Sequence, residues 1–75
     1  MINLIYTVIR KIAYKQNKTI KEIEIAKKLP NGIIGKWDTS MPQADKLQAV
    51  ADYLGVQSAD ILKEAEEESK NERTD

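Results

Sequence analysis

The chain has 75 residues, 41% of them hydrophobic and 32% charged, with no histidine and no cysteine. That length bounds it to one domain with a small core, for which helices are the economical choice. Without histidine or cysteine it lacks the usual general base, the commonest metal ligands and any disulfide framework, so no enzyme, metal site, cofactor or small-molecule ligand is expected.

No apolar run approaches the ~20 residues of a membrane span. Met1 to Ile9 lacks the layout of a signal peptide, so the expected location is the cytoplasm. The net charge of zero hides an asymmetry. Met1 to Trp37 holds eight basic residues against two acidic ones, a net of +6. Asp38 to Asp75 holds four against ten, a net of −6. Phosphate is attracted to the basic half.

The first predicted helix runs from Asn3 to about Gln16, with Leu4, Ile5, Val8, Ile9 and Ile12 as its inward stripe. Asn17 suits the left-handed position that closes it. Thr19 then caps a second helix, Glu22 completes a capping box, and Ile20 and Ile23 face inward. Pro30 ends that region and is well tolerated in the first turn of the next helix. This third helix, residues 31–38, is anchored by Ile34 and Trp37 at i, i+3. Its other face presents Asn31, Gly32, Gly35 and Lys36. Small and polar groups on the free side of an anchored helix fit the floor of a DNA major groove.

A polar loop from Asp38 to Pro42 leads to a fourth helix, Gln43 to Leu54, with Leu47, Val50, Ala51 and Leu54 inward. Gly55 stops it, and Val56 folds back as the hydrophobic contact of a Schellman-type cap. Ser58 is the expected N-cap of a fifth helix, with Ile61 and Leu62 packing inward. Beyond Leu62 the chain has little to bury and is expected to fray toward Asp75. The division is therefore a domain at 1–64 and an acidic, partly disordered tail at 65–75.

Two stretches carry a resemblance. One is Asn31-Gly32-x-Ile34-x-Lys36-Trp37. The other is Pro42-x-Ala44-Asp45-Lys46-Leu47-x-x-Val50-Ala51-Asp52-Tyr53-Leu54-Gly55-Val56. Together, and in this order, they resemble the phage Cro/repressor-type (XRE) helix-turn-helix proteins of Gram-positive phages and mobile elements. The resemblance covers Asn3 to about Leu62. It implies an all-α, compact five-helix lambda-repressor-like domain and a sequence-specific transcriptional regulator that inserts helix 31–38 into the major groove.

On that pattern Asn31 reads adenine and Lys36 reaches guanine or a phosphate. Gly32 and Gly35 permit close backbone approach, and Ile33 lies with them in the contact set. Thr19, Ile20 and Lys21 at the start of the second helix, Lys28 in the turn, and Thr39 and Ser40 after Trp37 meet the DNA backbone. The implied partner is double-stranded DNA with a near-palindromic operator. One such helix contacts only ~3–5 base pairs, so a homodimer is expected, weakly joined through Val56, Ile61 and Leu62 of the C-terminal helices.

The chain departs from the pattern at four positions. Lys28 stands where the turn glycine is usual, Lys27 where an apolar residue is, and Pro30 where a serine or threonine cap is. Gln57 looks like a one-residue insertion. The alternative function is a small helical protein-binding module, such as an antirepressor or switch partner, that keeps the fold without reading DNA.

Overall fold

Eleven residues of the basic half form α1, Ile5–Lys15, in the computed structural model, which describes residues 4–73 and their side chains to residue 68. The apolar stripe points inward: Ile5, Val8 and Ile9 are buried, and Ala13 continues the row one turn on. Ile12 is only partly buried. Asn3, the expected first residue, lies outside the described residues.

After α1 come α2 (Ile20–Ala26), a 3-10 helix η1 (Ile34–Asp38), α3 (Ala44–Leu54) and α4 (Ser58–Arg73). No strand occurs among the described residues, and the chain is all-helical. α1 is the hub: it packs against α2, η1 and α4, while α3 packs against α4. The core joins Ile23 of α2, Ile34 and Trp37 of η1, Val50 and Leu54 of α3, and Ile61 of α4 around α1. The radius of gyration is 11.7 Å, against ~11 Å for a compact chain of this length.

α1, α2 and α3 end alike. Asn17, Lys28 and Gly55 are left-handed, with φ of 59°, 55° and 75°. The next residue in each case donates its N–H five residues back: Lys18 to Ala13, Leu29 to Glu24, Val56 to Ala51. This is the Schellman pattern, which satisfies carbonyls that the helix end leaves free. Glycine and asparagine enter left-handed geometry readily, whereas lysine does so at a cost of ~1–2 kcal/mol. Lys28 is therefore a strained stop for α2. Lys27 is half-buried and Ala26 exposed, so the lysine keeps the inward position.

Several expectations are corrected. The described residues contain four α-helices, not five. Residues 31–33 are a turn, and only 34–38 wind, in 3-10 form. Gly32 at φ 85° breaks the right-handed path, and Pro30 has no N–H to extend a ladder.

α4 continues to Arg73, because Ala65 is buried one turn beyond Ile61 and Lys11 of α1 pairs with Glu68. Thr74 and Asp75, placed in the disordered tail, lie outside the described residues. Leu62 is 40% exposed rather than inward. The Ser58 hydroxyl donates to Gln48 Oε1 at 3.1 Å instead of capping, and Asp60 Oδ2 accepts the Gln57 N–H at 3.4 Å.

Candidate nucleic-acid interface

α2 begins with the expected capping box. Thr19 Oγ1 accepts the Glu22 N–H at 3.1 Å, and Glu22 Oε1 accepts the Thr19 N–H at 2.8 Å. Two free donors at the helix start are thereby satisfied reciprocally. Thr19 and Lys21 are exposed there, while Ile20 packs partly against the core.

The segment from Asn31 to Asp38 is fixed from both ends by carboxylates. Glu24 of α2 is 4% exposed. Its Oε1 accepts the Gly32 N–H at 3.0 Å and its Oε2 accepts the Ile34 N–H at 3.1 Å. Asp38, at the other end, reaches back to α1: Oδ1 accepts the Thr7 N–H at 3.3 Å and Oδ2 accepts the Thr7 hydroxyl at 3.2 Å. α1 has no side-chain cap of its own, so Asp38 serves one of its free first-turn donors. Ile34 and Trp37 bury the inner side of η1.

Asn31, Gly32, Gly35 and Lys36 are exposed on the free side of this segment. A Cβ built on Gly32 or Gly35 would meet nothing within 4 Å. Ile33, placed in the contact set by resemblance, turns partly inward against the core. Thr39 and Ser40 are exposed, and both donate their N–H to the Lys36 carbonyl, at 3.2 and 2.9 Å. An open hollow of about 300 Å³ brings Ile33, Lys36 and Ser40 together with Met41 and Lys46.

A second hollow, of about 440 Å³, joins Thr19 and Ile20 to Arg10, Lys11, Tyr14 and Lys18. Arg10 and Lys11 of α1 and Lys18 just after it were not among the residues the sequence singled out. Lys18 Nζ lies 4.7 Å from the Tyr53 ring centre. The hydrogen bond from Lys11 to Glu68 holds the ammonium pKa above its ordinary value. Lys21 and Lys28 are exposed and line neither hollow.

Glu24 is the residue that a search for exposed chemistry overlooks. Its signal lies in the helix period. Ile20, Ile23, Glu24 and Lys27 occupy i, i+3, i+4 and i+7, so a carboxylate stands among inward positions. A buried carboxylate requires donors, and the glycine turn supplies one of them eight residues on. Among the described residues no group of three or more acids gathers to hold a metal ion, and no helix is long and apolar enough to cross a membrane.

No protein-family model, curated protein or solved structure matches this chain.

Proposed function

We propose that this chain is a sequence-specific DNA-binding transcriptional regulator of the Cro/repressor type. α2 and η1 act as the two helices of a helix-turn-helix, and residues 31–38 read the operator. One observation carries the reading. An element whose inner side is locked by Ile34 and Trp37 offers Asn31, Gly32, Gly35 and Lys36 outward, with open space at both glycines. Nothing inside the fold crowds Gly35, so its outer side is open to a close approach from outside.

Asn31 pairs with adenine and Lys36 with guanine or a phosphate. Thr19, Lys21 and Lys28 meet phosphates, drawn in by the +6 half.

Reading by so short an element calls for two copies on a near-palindromic site, with half-sites ~34 Å apart. Ile61, expected in the dimer surface, is fully buried in the chain's own core. The surface is left with exposed Leu62 and half-buried Val56, which suits a dimer that forms mainly on DNA.

Fluorescence anisotropy on a random duplex, across a salt series, tests the reading. Binding should weaken steeply with salt, and selection from a random pool should recover a near-palindrome. Absence of binding at low salt would overturn the proposal. It would favour the antirepressor-type alternative, which draws on the exposed Ile25 and Met41 and on the scarcity of reading side chains beside two glycines.

A further inference from the structure

We infer that Glu24 is a positioning residue for base reading, fixing the Asn31-Gly32 turn through the backbone without touching DNA. The inference rests on the DNA-reading function proposed above. Among the described residues Glu24 is the buried charged group, and no cation lies within ion-pair distance of it. Both of its oxygens are occupied by backbone N–H groups, those of Gly32 and Ile34. A carboxylate held at both oxygens cannot rotate, so it fixes the orientation of the two peptides it binds. These bracket Ile33 and immediately follow Asn31.

The turn has little else to define it. Within it, Ile33 donates to the Pro30 carbonyl at 3.2 Å. Gly32 at φ 85° adds a flexible joint where the chain leaves Asn31. The far end of η1 is tied to α1 by Asp38, and its inner side by Ile34 and Trp37. Glu24 is therefore the hydrogen-bonded tie from α2 to the end that carries Asn31. A bidentate contact to adenine tolerates little displacement, whereas a lysine reaching a phosphate tolerates more.

Glu24→Gln keeps the size of the side chain and replaces one acceptor with an NH2 group, which then faces an N–H donor. The variant is compared with wild type on the duplex recovered by selection and on random duplex of equal length, at matched salt. Affinity for the selected duplex should fall at least tenfold, while affinity for random duplex and its salt slope stay unchanged. Asn31→Ala should weaken selected-duplex binding in wild type but add little in the Glu24→Gln background, since the side chain is already misplaced. Equal losses on both duplexes would reduce Glu24 to a general structural role and overturn the inference. A full additional loss from Asn31→Ala would do the same. Wild type that fails to distinguish the two duplexes removes the DNA reading itself; discrimination retained by Glu24→Gln removes only the role of Glu24. Independently of any variant, the Gly32 and Ile34 amides of the unbound wild type should exchange slowly with solvent. Rapid exchange at both would overturn the inference even if Glu24→Gln did not fold.

Discussion

Replacing Trp37 with alanine tests the orientation of the whole reading element. Trp37 is 3% exposed and shares the core side of η1 with fully buried Ile34. Truncating a buried tryptophan typically costs ~3–5 kcal/mol. A domain of 75 residues holds ~4–11 kcal/mol in total at ~0.05–0.15 kcal/mol per residue. The loss is therefore a large share of the stability. For a domain this small each kcal/mol moves the midpoint by ~4–8 °C, so a fall of at least ~12 °C is expected. Melting followed by far-ultraviolet circular dichroism measures it. The chain has one tryptophan, so its fluorescence reports wild-type unfolding and should shift to the red as the indole meets water. Trp37→Phe retains a ring and should lose less. An unchanged midpoint for Trp37→Ala together with lost DNA binding would place the indole on the outer face and refute the assignment of sides.

Gly35→Ala should leave the midpoint unchanged or slightly raised, since the added Cβ meets nothing and alanine is the better helix former; it should nevertheless weaken DNA binding, and unaltered binding would remove the close-approach argument. Lys28→Gly relieves φ 55° and should add ~0.5–1 kcal/mol after the entropy of an extra glycine is counted. The same change should lower the salt slope on DNA by ~0.9 if Lys28 meets one phosphate, and a lower midpoint would show that the left-handed turn is not strained. Thr19→Ala deletes half of the capping box and should cost ~1 kcal/mol in urea denaturation; no change in the denaturation midpoint would mean that α2 does not depend on its cap.

What the sequence by itself determined is local. The inward rows of α1 and α3 follow from 3.6-residue periodicity, and burial of Ile5, Val8, Val50 and Leu54 obeys it. The capping box at Thr19 and the helix stops at Asn17 and Gly55 follow from side-chain and backbone preferences acting within a few residues. Even the outward set of Asn31, Gly32, Gly35 and Lys36 could be read from its spacing against Ile34 and Trp37.

Contacts between distant residues decided the rest. Asp38 reads as the start of a polar loop until η1 packs on α1 and brings it to Thr7, 31 residues away. Glu24 stands among the inward positions of α2, but its partners exist only once the chain turns back and offers it two amides. Those bonds set the turn at 31–33 and leave only a 3-10 helix where periodicity suggested an α-helix. Leu62 departs from expectation for the same reason: α4 packs on α1 and α3 with Ile61 and Ala65 buried, which leaves Leu62 exposed. Propensity and capping are energies of neighbours in the chain. A carboxylate's partner and a helix's rotation are energies of neighbours in space, and these exist only once the core has closed.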